Sequence, residues 1–271
     1  MSPITPLRRP IPAFAAASLF AVGVGAVVCA QSGVPAGVWG RNLAAWLVGG
    51  LAAAALARWA GDRAVRAVVL LTPLGLAAPM LAEGQQGVHR WLDLGPLHMN
   101  AAMVLLPAFV VALAVERAAW WWIPALLSVG VLVLQPDASQ ATALALCVAF
   151  LGLRTPRVGW LVAMGALALA ALAWTRPDPL APVAEVEEAI QLAAALSPWL
   201  AGLAVLSLVA FAATPALTTR AWTGYALSAL FLAWSVAPAL GAFPVPLVGV
   251  GLSPILGAWL GVGLLAGLAR R

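Results

Sequence analysis

Residues 96–115 read PLHMNAAMVLLPAFVVALAV, a run of 20 residues without an acidic side chain, a lysine or an arginine. A helix of about 20 mostly apolar residues is long enough to cross the hydrocarbon core of a bilayer. Similar runs recur along the chain, of which 64% is hydrophobic and only 8% is charged. Soluble domains carry about 25% charged residues, so lipid has to cover most of this surface. The sequence therefore predicts an all-α integral membrane protein.

These runs predict about ten spanning helices in one polytopic domain that covers residues 1–271. The predicted spans are 11–31, 42–60, 64–82, 96–115, 118–135, 138–154, 157–175, 189–213, 219–240 and 246–268. The first run lacks a clear cleavage site, so we predict a retained helix and not a removed signal peptide. The tripeptide Gln135-Pro136-Asp137 favours two helices over one within residues 118–154.

The arginines predict the orientation, since positive charge is enriched in cytoplasmic segments of membrane proteins. All 14 basic residues are arginines. A cytoplasmic N-terminus places most of them inside: Arg8, Arg9, Arg58, Arg63, Arg66, Arg117, Arg154, Arg157, Arg220, Arg270 and Arg271. Only Arg41, Arg90 and Arg176 then fall outside. We therefore predict a multi-pass protein of the cell inner (plasma) membrane with both termini in the cytoplasm.

The acidic residues show the opposite bias. Of the nine, only Asp62 and Glu116 fall inside, and the outer segments hold Glu83, Asp93, Asp137, Asp178, Glu185, Glu187 and Glu188. Acids do little to set topology, so a carboxylate-rich site on the outer face would explain the bias. A nucleic-acid partner is excluded despite the net charge of +5, because the arginines are scattered singly and form no basic stripe. The two cysteines lie in apolar runs without metal-ligand spacing.

The first long outer loop, residues 83–95, contains Arg90, Trp91 and Asp93. One interpretation is an interfacial turn, with Trp in the headgroup belt and Arg reaching to lipid phosphates. The other is a site for a lipid diphosphate, in which Arg pairs with phosphate oxygens and Trp packs against the sugar or the prenyl chain.

Three further segments carry candidate chemistry. Asp137 follows a helix break, where helix capping is favoured over catalysis. Glu185, Glu187 and Glu188 stand at the start of a helix, where acids are common, and crowding there could also raise a carboxyl pKa for use as a general base. Residues 237–254, which include Ser253, form either a kinked hairpin or the wall of a cavity.

Taken together, these motifs resemble the SEDS family (shape, elongation, division and sporulation) of the FtsW/RodA type. The family's Gly-x-x-Arg-Trp-Ile/Leu-x-x-Gly stretch is matched by Gly87, Arg90, Trp91, Leu92 and Gly95. Its Leu-Gln-Pro-Asp motif is matched by Leu134, Gln135, Pro136 and Asp137, and its last outer loop resembles this chain through Pro246, Gly251 and Ser253. The similarity covers about residues 80–271 in the same order.

The chain also departs from the family pattern. His98-Met-Asn100-Ala stands in place of the family's Gln-Pro-Ser-Glu, and Ser139-Gln140 stands in place of its Gly-Thr. The catalytic Asp of the family lies in a His-Thr-Asp-Phe motif just before helix eight. Counting back from that helix places Glu187 at this position, with Glu188 one residue away.

The resemblance implies a glycosyltransferase that polymerises a lipid-linked disaccharide of the undecaprenyl diphosphate type for peptidoglycan synthesis. Glu187 or Glu188 would be the catalytic base, and the expected substrate-binding residues are Arg90, Trp91, Asp93, Asp137, Glu185 and Ser253. No cofactor is certain, although a divalent cation, Mg²⁺ or Mn²⁺, could neutralise the diphosphate. The resemblance also implies a single-pass transpeptidase partner, in cell division or in cell-shape maintenance.

Two other functions stay open. A SEDS-like scaffold or lipid-binding protein of the cell-wall machinery could keep the fold without the chemistry, as the altered motifs suggest. A transporter of lipid-linked sugars would need charged groups on both faces or through the midplane. It is disfavoured, because the acids cluster on one face.

Overall fold

The apolar runs form helices, because a backbone that leaves water has to satisfy its own hydrogen bonds. The computed structural model describes residues 10–95, 97–116, 118–155 and 158–270, apart from the side chain of Leu94. Within these ranges the α-helices are α1 (Pro10–Gln31), α2 (Ala36–Trp59), α3 (Asp62–Ala77), α4 (Ala101–Val115), α5 (Trp122–Leu134), α6 (Ala138–Gly152), α7 (Gly159–Trp174), α8 (Ala184–Glu187), α9 (Ala189–Leu196), α10 (Pro198–Thr219), α11 (Trp222–Val236) and α12 (Leu252–Leu268). The predicted all-α fold is confirmed.

Four helices are long and apolar enough to cross a membrane: Pro10–Gln31, Ala36–Trp59, Asp62–Leu81 (α3 with the 3₁₀ turn that follows it) and Pro198–Thr219. Five more apolar helices, α4, α5, α6, α7 and α12, have 10 to 17 residues. Many large apolar side chains point outward, such as Leu51, Leu74 and Met164. Such a surface suits lipid and not water. The number of crossings stays a prediction.

Helix α12 lies at the centre of the core and packs against α2 and α4. Its glycines allow this packing. A Cβ atom on Gly257 would lie 1.9 Å from the carbonyl oxygen of Met103 on α4, and one on Gly263 would lie 2.7 Å from Cα of Ala53 on α2. Small residues bring helix backbones close together in membranes, where the hydrophobic effect gives little drive for association. The close contacts on α12 thus place the start of this helix beside the start of α4.

Several predicted spans differ from the helices, and three of the differences lie next to the irregular parts of the chain. The predicted span 96–115 was placed too early, because residues 97–100 form strand β2 (Leu97–Asn100), antiparallel to β1 (Trp91–Leu94). Asn100 then begins α4, since its side-chain oxygen accepts a hydrogen bond from the Met103 amide at 2.9 Å. The predicted span 189–213 is divided at Ser197, whose hydroxyl caps α10, while Pro198 has no amide hydrogen to continue α9. The last span begins at Leu252 and not at residue 246.

An irregular segment, residues 240–251, connects α11 to α12, with a 3₁₀ turn (Ala237–Ala239) before it. Asn42 of α2 holds its end: the side-chain amide donates to the Gly249 carbonyl at 2.9 Å and accepts from the Gly251 amide at 3.0 Å. The segment in turn holds α8, because Val245 donates to the Val186 carbonyl at 2.9 Å and Val250 to the Glu185 carbonyl at 2.8 Å. The position of α8 therefore depends on a chain of contacts that starts in α2.

Candidate functional site

A cavity of about 360 Å³ opens where the hairpin β1–β2, the first turn of α6, residues 178–187 and residues 242–254 meet. Five of the predicted site residues line it: Arg90, Trp91, Asp137, Glu187 and Ser253. The cavity thus brings together the two long loops that the charge distribution places on the outer face.

Arg90 is the most heavily engaged group in this cavity. Only 8% of its surface is exposed. Its Nη2 donates to Asp178 Oδ2 at 2.7 Å and to the Pro136 carbonyl, and its Nε lies 3.8 Å from Asp137 Oδ2 and donates to the Gln135 carbonyl. Two carboxylates and two carbonyls therefore share one guanidinium, which ties the hairpin to the α5–α6 break and to the loop after α7.

Asp137 has the capping role that its position indicates. It is 3% exposed and stands at the N-cap of α6, where its Oδ1 accepts from the Gln140 amide at 3.3 Å and from the Ser139 hydroxyl at 3.1 Å. The other oxygen, Oδ2, faces Arg90. Since a buried carboxylate is costly without partners, this pairing is what permits an acid at this depth.

Glu187 ends the short helix α8 and is partly buried at the cavity wall. Burial raises the pKa of its carboxyl, and the neighbouring Glu185 and Glu188 carboxylates raise it further. Backbone hydrogen bonds act in the opposite direction, including one from the Val183 amide to Glu187 Oε2 at 2.7 Å. A carboxyl with a raised pKa is a stronger base once it has lost its proton, as a general base requires.

Trp91 and Asp93 lie on β1, and the register places Asp93 opposite His98 on β2. His98 Nδ1 lies 2.5 Å from Asp93 Oδ1, and the imidazole ring stacks on Trp91 with 5.3 Å between ring centroids. Arg90 Cζ lies 5.9 Å from the Trp91 ring. The indole therefore contacts both the exposed histidine and the buried arginine.

Ser253 has a structural partner within the cavity wall. Its hydroxyl accepts a hydrogen bond from the Asn100 amide at 2.9 Å, which joins the start of α12 to the start of α4. Both residues are buried. Ser253 can still donate its hydroxyl hydrogen to a ligand, because that bond uses only an oxygen lone pair.

Asp93, Glu185 and Glu188, which were also predicted as site residues, do not line this cavity. Asp93 pairs with His98, and Glu185 contributes its carbonyl to the contact with Val250. Glu188 is exposed at the end of α8. Of the two candidate bases, the structure thus places Glu187 in the cavity.

Two residues of the cavity, Asp178 and His98, were not predicted. Asp178 is 88 residues from its partner Arg90, so no local spacing indicates the pair. A signal did exist in the charge distribution, since Arg90 is one of three arginines predicted on the outer face among seven acids predicted there, and it needs a carboxylate partner when buried. His98 stands among the sequence motifs only as part of the His98-Met-Asn100-Ala departure from the family pattern, and its pairing with Asp93 follows from a hairpin that was predicted as loop and helix.

Comparison of the sequence with family models and with curated proteins gives no match. Comparison of the fold with solved structures gives several matches. The rod shape determining protein RodA of Thermus thermophilus matches with a TM-score of 0.65 at 21% identity, over 95% of each chain. A point mutant of that protein matches with a TM-score of 0.64, at 21% identity and over 95% of this chain and 96% of the other.

The chain has the fold of RodA. The SEDS-like fold that the motifs predicted is therefore confirmed. A chain from a peptidoglycan synthase complex, described for the coordination of polymerization and crosslinking, also shares this RodA-like fold, with a TM-score of 0.58 at 23% identity over 95% of this chain and 96% of the other.

The RodA-like fold leaves the predicted cation untested. Among the residues that the structure describes, no three His, Cys, Asp or Glu side chains converge as metal ligands do. Mg²⁺ commonly binds through one or two carboxylates together with substrate phosphates, so a site of this kind could form with the substrate. The divalent cation stays a prediction.

Proposed function

We propose that the protein is a SEDS-type membrane glycosyltransferase that polymerises a lipid-linked disaccharide for peptidoglycan synthesis. The observation that carries the proposal is the position of Glu187. Its carboxyl, with a raised pKa, lines the same cavity as Arg90 in a RodA-like fold. Arg90 and Glu187 are 97 positions apart in the sequence and come from different loops, and the proposed catalytic site needs both.

Glu187 would act as the general base. Its carboxylate would take the proton from a hydroxyl of the acceptor sugar, and that oxygen would attack the anomeric carbon of the donor. The bond from this carbon to the diphosphate oxygen would break, and a prenyl diphosphate would leave. The carboxyl has to come within hydrogen-bond reach of the hydroxyl, about 2.6–3.2 Å. An open cavity beside Glu187 supports such an approach.

The remaining predicted substrate residues would position the lipid-linked glycan. Trp91 would pack against the sugar or the prenyl chain, and Ser253 would offer its hydroxyl. A diphosphate that approached Arg90 would compete with the Asp178 carboxylate for the guanidinium. Mg²⁺ or Mn²⁺ would reduce the repulsion between the diphosphate and the carboxylates of the cavity.

Replacement of Glu187 tests the proposal. We expect Glu187→Gln to lower the rate of polymerisation by about 10²–10⁴-fold, the usual contribution of a general base. The assay gives purified protein a lipid-linked disaccharide and measures polymer by gel. Because the carboxylate is the active form, the wild-type rate should fall as the pH is lowered through the raised pKa of Glu187.

The matched control is Glu188→Gln, which removes the same charge one residue away from an exposed position. It should keep most of the rate and shift the acidic limb to lower pH, because one repelling carboxylate is gone. Equal loss in both variants would contradict the assignment of the base to Glu187. The absence of polymer from the wild type, alone or with candidate partners, would contradict the proposed function.

The second candidate function is a SEDS-like scaffold or lipid-binding protein without catalysis. The observation that favours it is that these polar groups already have partners within the protein: Arg90 contacts Asp178, Asp137 and two carbonyls, and Glu187 accepts from the Val183 amide. Fully paired groups stabilise a fold without any reaction. Binding of the lipid-linked disaccharide without turnover, in every partner combination, would favour the scaffold.

A single-pass transpeptidase partner in the plasma membrane belongs to the same proposal. One neighbour in fold comes from a complex that coordinates polymerization and crosslinking, which supports a crosslinking partner here. Co-purification of this chain with candidate transpeptidases from the same cell, followed by the polymerisation assay, checks the partnership.

A further inference from the structure

The hairpin β1–β2 carries a polar cluster that the proposed reaction does not use. His98 Nδ1 lies 2.5 Å from Asp93 Oδ1, and Nε2 lies 3.0 Å from the Gln85 side-chain nitrogen. His98 and Gln85 line the cavity, whereas Asp93 does not. A carboxylate that accepts from Nδ1 fixes the tautomer and orientation of a histidine and leaves Nε2 for a ligand.

The charge of the cavity makes this histidine important. The ionisable side chains in its described lining are Arg90, His98, Asp137, Asp178 and Glu187. Arg90 is already paired with two of the carboxylates. A diphosphate therefore enters a cavity whose permanent positive charge is neutralised. His98 is the other described lining group that can become cationic.

We propose that His98, oriented by Asp93, is a diphosphate-binding residue of this cavity, an inference that rests on the proposed function for its ligand. As an imidazolium, His98 donates Nε2–H to a phosphate oxygen and replaces the contact with Gln85. The side chain of His98 is 42% exposed, so a headgroup can reach it from the cavity mouth. Asp93 is a positioning residue, because it acts through the imidazole.

The hydrogen-bond pattern at Gln85 agrees with this role. In the neutral ring, Nδ1–H donates to Asp93 and Nε2 accepts from the Gln85 amide nitrogen. Protonation turns Nε2 into a donor, which can no longer accept from that nitrogen. A phosphate oxygen then satisfies the new N–H. Ligand binding and protonation of His98 thus favour each other.

A purely structural cross-strand pair is the alternative, since Asp93 and His98 are register partners in an exposed hairpin. Such a pair stabilises the hairpin but has no effect on ligands. Binding measurements on variants distinguish the two roles.

The first experiment measures the affinity of the purified protein in nanodiscs for undecaprenyl diphosphate, with undecaprenol as the uncharged control. We expect His98→Gln to weaken diphosphate binding about tenfold, as for the loss of one charge-assisted hydrogen bond. Undecaprenol binding should not change. Asp93→Asn should weaken diphosphate binding less, because the ring remains.

The matched control is His89→Gln, since the chain has two histidines and His89 does not line the cavity. It should keep the wild-type affinity. Unchanged diphosphate affinity in His98→Gln, or equal loss for diphosphate and undecaprenol, would overturn the proposal.

The second experiment observes the ring itself. In His89→Gln protein purified without a histidine tag, His98 is the one remaining histidine, so its NMR resonances need no further assignment. Addition of undecaprenyl diphosphate at neutral pH should move them toward the imidazolium position, and Asp93→Asn should reduce the shift. No movement on saturation with ligand would overturn the proposal. Both measurements require ligand binding but no turnover. A wild-type protein without polymerase activity would therefore contradict the proposed function but not this inference.

Discussion

At the scale of single residues, Arg90 is the side chain on which the stability of the site most depends. Its guanidinium joins three segments, and 8% of its surface is exposed. Removal of one partner of a buried ion pair leaves the other charge in a poorly solvated place. The partner most affected is Asp137, which is 3% exposed, whereas the Asp178 side chain is 32% exposed and can turn to water.

We therefore predict that Arg90→Ala lowers the free energy of unfolding by about 3–5 kcal/mol, as in other broken buried pairs. Thermal unfolding in detergent would measure the loss. Asp178→Asn should cost less, because its carboxylate is partly exposed. Arg176→Ala is the control, since this arginine is exposed and its replacement should change stability by less than about 0.5 kcal/mol. Equal losses in Arg90→Ala and Arg176→Ala would mean that the pairing with Asp137 contributes little.

At the scale of elements, the position of Glu187 depends on segments that carry no catalytic group. The short helix α8 has no buried residue of its own and is held by the irregular segment 240–251, which Asn42 fixes from α2. Irregular backbone at membrane depth is tolerated when it is buried in protein or lines a cavity. Residues 245–249 of the segment are buried and several of its residues line the cavity, so its backbone can stay irregular.

Asn42→Ala tests this support. It would leave the Gly249 carbonyl and the Gly251 amide without their side-chain partner, and we expect a loss of about 1–3 kcal/mol. Hydrogen exchange should become faster in residues 245–251 and in α8. Ser207→Ala is the control, because this buried hydroxyl bonds only to a carbonyl of its own helix. Faster exchange spread evenly over all helices would argue against a local role of Asn42.

At the scale of the whole molecule, the charge distribution predicts which end of the helices lies in the cytoplasm and which lies at the outer face. The cavity contains residues from both long acidic loops, and the predicted cytoplasmic end carries most arginines. A substrate that is polymerised on the outer face needs this orientation.

Single cysteines in a Cys29→Ala, Cys147→Ala background check the orientation. Glu83→Cys and Arg63→Cys stand at exposed positions at opposite ends of α3 and the 3₁₀ turn that follows it. We expect a membrane-impermeant maleimide to label Glu83→Cys in intact spheroplasts and Arg63→Cys only after permeabilisation. The reverse pattern would contradict the predicted topology and place the cavity on the cytoplasmic face.

The sequence by itself determined the helical class, the membrane environment and the family resemblance, because hydropathy and short motifs are properties of neighbouring residues. It also selected Arg90, Asp137 and Glu187 as candidates from residue type and motif. Only the tertiary structure decided which of them meet. The Arg90–Asp178 pair spans 88 residues and the Asn42–Gly249 contact spans 207. Such pairs depend on how the chain packs. For Asn42 of α2 and the segment before α12, that packing includes the close contact between Gly263 of α12 and Ala53 of α2, which no local pattern indicates. The tertiary structure also decided between Glu187 and Glu188. They are adjacent residues of the same type, and only the folded chain shows that Glu187 lines the cavity while Glu188 is exposed.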